Sequence, residues 1–186
     1  MRPPLVWLTN NSNPRRSSAR SAGFTLIELV AVIVIVAILA SVAAATMNLG
    51  SARSGLAAKQ LLRDITFARQ WSIATGRNSW VVFSPGSNLW TILAEDPANP
   101  GRLNATTMTD MATGKPYTIT VGVDDYVGVS IESCNFDGGN EVGFDWLGEP
   151  VVAGGPLAAQ GVVVLIGGRQ VIVEAGSGLV RYESGS

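Results

Sequence analysis

The sequence predicts an α+β protein in which one long N-terminal helix packs on an antiparallel β-sheet head. Three features of its 186 residues support this fold class. An apolar run covers residues 24–47, a helical pattern resumes over residues 56–76, and short apolar segments separated by Gly-rich turns continue to the C-terminus. A helix with one apolar stripe, followed by a series of strands, is typical of an α+β arrangement.

Residues 1–22 are rich in Ser, Asn, Pro and Arg and have no apolar periodicity, so we expect this segment to be disordered. The arginines that precede the apolar run are Arg2, Arg15, Arg16 and Arg20. Positive charge before a membrane span keeps that end of the chain in the cytoplasm. We therefore expect the N-terminus to be cytoplasmic and the C-terminal part to cross the membrane.

Residues 24–47 read as a single transmembrane helix. At about 1.5 Å per residue, a helix of this length spans about 36 Å, which exceeds a hydrocarbon core of about 30 Å. The apolar region of a cleaved secretory signal is typically only about 7–15 residues long. The run is too long for that alternative, so we interpret it as an anchor.

Residues 48–76 are predicted to extend this helix with an amphipathic segment. After the weak stretch NLGSARSG, small and apolar residues recur at spacings of three and four. They are Ala58, Leu61, Leu62, Ile65, Ala68 and Ser72. Lys59, Arg63 and Gln70 point elsewhere, and Gly76 suits a helix C-terminus. The stripe must bury against another layer, and residues 77–186 supply it.

The head, residues 77–186, is predicted to be rich in β-strands. SWVVFSP and NLWTILA form a plausible hairpin around Gly86 and Asn88, and a long polar loop follows. Further strand candidates are YTITV, YVGVSI and VGFDW. VVVLI, QVIVE and LVRY predict a three-stranded antiparallel meander. We expect Trp80, Trp90 and Trp146 to pack in the core.

Composition argues against catalysis and against nucleic-acid binding. The chain has no histidine and one cysteine, Cys134, so it lacks the commonest general base and has no internal disulfide. From Phe24 onward, nine basic residues face 14 acidic ones, which repels phosphate backbones. The acidic residues of the head show no calcium-loop spacing, and we expect them to be solvated: Asp124, Asp125, Asp137, Glu141, Asp145 and Glu149. We predict no catalytic residue, metal or cofactor.

The stretch GFTLIEL stands at the junction of the basic leader and the apolar run. It resembles the prepilin signature of type IV pilins and type II secretion pseudopilins. The resemblance implies that a prepilin peptidase cleaves after Gly23 and methylates the new N-terminal amine of Phe24. It also implies that Glu28 faces the N-terminal ammonium of a neighbouring subunit as the helices pack into a filament.

Elementary electrostatics agrees with that role of Glu28. The residue lies four positions after Phe24, about 6 Å along a helix and close to the headgroup edge, where burying a charge costs less than at the midplane. In a bundle of helices, an amine that faces the carboxylate relieves the desolvation penalty of both groups. The alternative is an interfacial carboxylate without a partner.

The order of ARQWSIATGR, VGFDWLGEP and GSGLVRY is similar to the GspH/FimT family of minor pseudopilins and minor pilins. Two departures from pilin patterns stand out. No proline occurs late in the apolar run, and one cysteine cannot form the C-terminal disulfide of major pilins. Some FimT-like pilins bind DNA through basic C-terminal residues, but here only Arg181 is near the end, beside Glu183.

These resemblances imply a minor pseudopilin of a type II secretion pseudopilus and not an enzyme. We expect a cleaved leader (1–23), a single span in the bacterial inner membrane (24–47), a helical extension (48–76) and a periplasmic head (77–186). Expected partners are other pseudopilins or pilins, the prepilin peptidase and the inner-membrane assembly platform. The main alternative is a minor type IV pilin in pilus assembly or DNA uptake. A membrane-anchored enzyme and a single-span receptor are further alternatives.

Overall fold

The computed structural model describes residues 25–184, except for the side chains of residues 43–49. Its single long helix, α1, covers Leu26–Thr75. It continues through the stretch NLGSARSG, including Gly50 and Gly55. Gly76 ends it with a left-handed backbone, φ 68°, and donates its N–H to the Ser72 carbonyl at 2.9 Å. The predicted stop at Gly76 is confirmed.

Eleven strands follow α1 in the described part of the chain. They are β1 (Ser79–Ser84), β2 (Leu89–Ala94), β3 (Thr106–Thr107), β4 (Thr118–Thr120), β5 (Ile131–Asn135), β6 (Glu141–Phe144), β7 (Pro150–Val152), β8 (Gly155–Pro156), β9 (Gly161–Leu165), β10 (Arg169–Val173) and β11 (Val180–Glu183). The larger sheet has the order β3-β2-β1-β6-β7-β8, with β4 also paired to β2, and the smaller has the order β11-β10-β9-β5. All pairings between these strands are antiparallel, which confirms the α+β fold class.

The hairpin and the meander are confirmed. Strands β1 and β2 pair along their whole length, from Ser79 opposite Ala94 to Ser84 opposite Leu89. Strand β10 pairs with both β9 and β11. The short strands β3, β7 and β8 escaped prediction because two or three residues carry too little alternation to detect.

Two strand predictions were wrong in extent. Instead of a strand over YVGVSI, residues Asp124–Tyr126 form a 3₁₀ turn, and β5 begins only at Ile131. Gly128, with φ 82°, interrupts the extended backbone between them. VGFDW is a strand only as far as Phe144. The next residue, Asp145, accepts the N–H groups of two later residues and starts a turn.

The chain divides into two compact units, one up to Ser41 and one from Val42 onward. In the first unit, the large apolar side chains of α1 are 49–79% exposed over residues 26–39. Among the described residues, no helix meets the length and hydropathy needed to cross a membrane.

In the second unit, α1 contributes one face to the hydrophobic core. Ala58, Leu61, Ile65, Ala68 and Ser72 of the predicted stripe are fully buried. Leu62 is half-buried against the same core. The largest buried side chains of the same core come from the strands and their connections: Trp90, Phe83, Phe136 and Phe144. Lys59, Arg63 and Gln70 are exposed, as expected.

Candidate assembly site on the N-terminal helix

Of the three site residues predicted from sequence, only Glu28 lies within the described residues. Gly23 and Phe24 lie outside them, so the cleavage site and the methylated position stay predictions. Glu28 is in the first turn of α1, and its side chain is exposed. A carboxylate there stands at the positive end of the helix dipole.

Thr25 caps the helix that carries Glu28. The Glu28 N–H donates to the Thr25 carbonyl at 3.0 Å and to the Thr25 hydroxyl at 3.3 Å. Thr-x-x-Glu is the signature of a capping box, in which the N-cap hydroxyl bonds to the backbone of the third helical residue. Thr25 therefore sets where the helix begins and keeps Glu28 on its first turn. The Thr-x-x-Glu pattern is visible in the sequence, but the prediction for this stretch concerned only Gly23, Phe24 and Glu28.

Asp64 is a buried carboxylate of α1, and its burial was not predicted from the sequence. It lies between the stripe residues Leu61 and Ala68 at helical spacing, and only 1% of its surface is exposed. Its carboxylate accepts hydrogen bonds from Trp90 Nε1 at 2.7 Å, the Tyr117 hydroxyl at 2.8 Å and Gln60 Nε2 at 2.8 Å. The helix, strand β2 and the segment before β4 therefore meet at one acceptor.

Burial controls the electrostatics of this cluster. Desolvation raises the pKa of the Asp64 carboxyl, and the hydrogen bonds from Trp90, Tyr117 and Gln60 oppose that shift. Burial, together with the neighbouring Asp64 carboxylate, also raises the pKa of Tyr117. The Tyr117 ring stacks on Phe67 of α1, with ring centroids 5.5 Å apart. We interpret the cluster as a structural contact between α1 and the head, because every hydrogen-bond donor to Asp64 is a neutral side chain of the fold.

Two arginines fasten α1 to the head near opposite ends of its buried part. Near the start, Arg169 of β10 donates from Nε to the Ser54 hydroxyl at 2.8 Å and from a terminal nitrogen to the Ser51 carbonyl at 2.8 Å. Near the end, Arg69 of α1 donates to the carbonyls of Gly148 and Ser177, both at 3.0 Å.

Gly178 is required where the Arg69 contacts converge. Its φ is 64°, and a Cβ there would lie 2.6 Å from the Gly148 carbonyl oxygen. The tight approach of the two turns leaves no room for a side chain, which explains the second glycine of the GSGLVRY segment.

The acidic residues of the head have structural or solvated roles. Asp137 accepts the N–H groups of Ala158 and Ala159, and Glu141 forms an ion pair with Arg102 at 2.7 Å. Asp124 and Asp125 lie exposed in a 3₁₀ turn. Across the described residues, no three His, Cys, Asp or Glu side chains come together as a metal site.

The tryptophan prediction was right for two residues and wrong for one. Trp90 is fully buried and Trp80 is 6% exposed, both in the β1–β2 hairpin. Trp146 is 60% exposed, because the turn that Asp145 organises places it after the end of β6. Cys134 is half-buried against the core, and burial raises the pKa of its thiol.

Comparison with known proteins supplies a context for this geometry. Residues 18–44 match the prokaryotic N-terminal methylation motif. No curated protein matches the chain. The fold is similar to a solved structure of the minor pseudopilin EpsH from the type 2 secretion system of Vibrio cholerae, with a TM-score of 0.52 and 9% identity over 71% of this chain and 96% of that one. A second crystal structure of EpsH gives a TM-score of 0.52 and 11% identity over 72% and 97% of the two chains.

The motif and the fold occur in one chain and are joined by one helix. The motif includes Glu28, and α1 extends from Leu26 to the core of the head. At 9% and 11% identity, these two matches show a similar fold and nothing further. The chain thus carries a prokaryotic N-terminal methylation motif, and its α+β fold is similar to that of the minor pseudopilin EpsH.

Proposed function

We propose that the chain is a minor pseudopilin, a non-catalytic filament subunit of a type II secretion pseudopilus. The observation that carries the proposal is the methylation motif at residues 18–44 on a chain with the fold of EpsH. The motif implies processing and membrane insertion, and the fold implies assembly with other pilin-type subunits. Both solved structures are of a minor pseudopilin, which favours secretion over the type IV pilus.

The exposed apolar surface of α1 is where we propose that assembly takes place. Side chains that point in every direction around residues 26–42 are at least about half exposed, so this segment has no partner within its own unit. A helix that is hydrophobic all round is stable when lipid or other helices surround it. We propose that it is held in the inner membrane, with the head in the periplasm, and passes from lipid to neighbouring helices as the filament forms.

Glu28 would make this transfer selective. Withdrawing a carboxylate from water without a partner costs several kcal/mol, and pairing with an amine offsets that cost. After cleavage behind Gly23, the methylated amine of Phe24 is the cation that each neighbouring subunit brings to the same depth. The capped first turn keeps the backbone of Glu28 in helical geometry, four residues after the proposed new N-terminus of its own chain. The inner-membrane platform and the prepilin peptidase complete the proposed set of partners.

The processing step is tested by co-expression with a prepilin peptidase and mass spectrometry of the N-terminus. We expect a mature chain that begins with methylated Phe24. Gly23→Leu should leave the leader attached, and catalytically inactive peptidase is the control. An intact leader on the wild-type chain in the presence of active peptidase would exclude the proposal and favour a receptor-like or enzyme-like anchor.

The assembly step is tested with two variants of Glu28. Glu28→Gln keeps the shape of the side chain and removes its charge, whereas Glu28→Asp keeps the charge and shortens the reach. We expect both to be processed normally and the Gln variant to be depleted about 10-fold or more from purified filaments, the loss that about 1.4 kcal/mol produces. Normal incorporation of Glu28→Gln would remove the pairing argument. Incorporation into a reconstituted type IV pilus but not a secretion pseudopilus would favour the alternative filament.

A further inference from the structure

We propose that the cleft around Arg169, at the start of the head, binds the phosphate group of a membrane lipid. This inference rests on the proposed membrane anchoring. The cleft has a volume of about 230 Å³ and is open to solvent. We call it the helix-base cleft, and its lining residues are Gly50, Ser51, Ser54, Gly128, Ile166, Gly167 and Arg169.

The Arg169 guanidinium has only neutral hydrogen-bond partners among the described residues. Its Nε donates to the Ser54 hydroxyl, and one terminal nitrogen donates to the carbonyl and the hydroxyl of Ser51 at 2.8 and 2.9 Å. The other terminal nitrogen donates to the Tyr182 hydroxyl. Among the described residues, the ion pairs involve Arg102 and Arg181 and not Arg169. Within residues 25–184, the positive charge of Arg169 is therefore oriented and has no anionic partner.

Arg169 and Ser51 have hydrogen-bond donors that a ligand in the cleft can use. A guanidinium has five N–H groups, and the contacts with Ser51, Ser54 and Tyr182 occupy four of them. The Ser51 hydroxyl, which lines the cleft, accepts from Arg169 and can donate its own proton to a ligand. The Ser54 hydroxyl donates its proton to the Ser51 carbonyl at 3.1 Å. A tetrahedral oxyanion in the cleft can use one N–H and one O–H donor beside a fixed positive charge.

Along the sequence, the balance of charged residues changes from basic to acidic close to this cleft. Between Glu28 and Asp64 there is no acidic residue, and the basic residues are Arg53, Lys59 and Arg63. From Asp64 to the C-terminus, 13 acidic residues face six basic ones. An anion is therefore repelled by most of the head and attracted to the start of it, where Arg53 lies two residues from Ser51.

Sequence distance places the cleft at the depth of lipid headgroups if the apolar run spans the membrane. Ser51 follows Met47, the end of that run, by four residues, or about 6 Å of helix. The headgroup layer on each side of the hydrocarbon core is about 5–8 Å thick. A phosphate diester at that depth is the most abundant anion available, which favours lipid over a soluble phosphate.

The test uses the full chain in nonionic detergent and native mass spectrometry of bound lipid. The probes are phosphatidylglycerol, diacylglycerol with the same acyl chains, and inorganic phosphate. We expect retention of one phosphatidylglycerol and little diacylglycerol. In Arg169→Gln the retained fraction should fall about 10-fold, as the loss of a charge-assisted hydrogen bond predicts. Arg181→Gln is the matched control, because Arg181 is already paired with Glu174 and Glu183.

A second variant guards against loss of the fold in Arg169→Gln. Ser51→Asp places a carboxylate beside the guanidinium while keeping Arg169 in place, and we expect it to expel the phosphate. Ala52→Asp adds the same charge at the next exposed position and should retain the lipid.

Four results would overturn the inference. One is equal retention of phosphatidylglycerol by all variants, and another is equal binding of diacylglycerol. The third is normal lipid retention by Ser51→Asp with loss of filament incorporation, which would assign the cleft to an acidic neighbouring subunit. Saturation by inorganic phosphate at micromolar concentration would identify a soluble phosphate as the ligand and contradict the lipid source. The lipid-retention measurement needs neither peptidase nor filament, so its outcome is independent of the processing test. Only the incorporation readout of Ser51→Asp requires an assembled filament.

Discussion

The two parts of α1 show how one helix can carry two kinds of hydrophobic surface. Over residues 26–42 every large apolar side chain is 49–79% exposed. Over residues 57–72 the apolar side chains divide, so that Leu61 and Ile65 are fully buried whereas Phe67 is 39% exposed. The second part finds its partner in the head, and the first has none within its own unit. The unpartnered surface is therefore the one that we assign to lipid and to neighbouring subunits.

The largest effect is expected where this comparison is most direct, at two leucines of α1. Leu61→Ala removes a fully buried side chain and should lower the free energy of unfolding of the head by about 3–5 kcal/mol. Leu29→Ala removes one that is 57% exposed and should change it by less than about 0.5 kcal/mol. Urea unfolding of the full chain in detergent, followed by tryptophan fluorescence, measures both. Similar losses for the two variants would show that the comparison is wrong.

The next effect concerns the buried carboxylate that joins α1 to β2. Asp64→Ala leaves the Trp90 N–H and the Tyr117 hydroxyl without their acceptor, which should cost about 2–3 kcal/mol of unfolding free energy. Asp125→Ala, at an exposed position, is the control and should be close to neutral. The same unfolding assay applies. A neutral result for Asp64→Ala would mean that the desolvation penalty of this carboxylate cancels its hydrogen bonds.

The pH dependence of stability gives a smaller and more specific signal. Because burial raises the pKa of Asp64 above 3.8, the native state holds this proton more tightly than the unfolded state does. The contribution of Asp64 is therefore fully present below pH 3.8 and is lost as the pH rises through the higher native pKa.

The pH effect is measured as the difference in unfolding free energy between the wild type and Asp64→Asn. Backbone hydrogen bonds lower the pKa of Asp96 and Asp110, which produces the opposite slope in both proteins and cancels in the difference. We expect the wild type to lose stability relative to Asp64→Asn as the pH rises above 3.8. A flat difference between the two curves would contradict the raised pKa.

The smallest effect is expected at the start of α1. Thr25→Ala removes the N-cap hydroxyl and should destabilise the first turn by about 1 kcal/mol, which increases amide exchange there about 5-fold. Thr25→Ser should restore the wild-type rate. Ser41→Ala is the control, since the Ser41 hydroxyl bonds within the helix to Ile38. Hydrogen–deuterium exchange of the N-terminal peptide measures the three variants, and unchanged exchange in Thr25→Ala would show that the cap is dispensable.

Patterns that repeat over short distances were readable from the sequence. Helical spacing located the buried stripe of α1, and period-two alternation located the β1–β2 hairpin and the β9–β10–β11 meander. The same pattern failed at YVGVSI and at Trp146. A left-handed glycine and an aspartate-organised turn decide those positions, and neither changes the apolar count of the segment.

By itself, the sequence determined the α+β class and the helical stripe, and it predicts a prepilin-type junction at Gly23, Phe24 and Glu28, because each depends on neighbouring residues and their spacing. The tertiary structure alone decided the contacts of Asp64 and Arg169. Asp64 is 26 residues from Trp90 and 53 from Tyr117, and Arg169 is 115 from Ser54. No local pattern encodes such pairs. Only folding brings a buried carboxylate to its donors and fixes the Arg169 guanidinium at the start of the head.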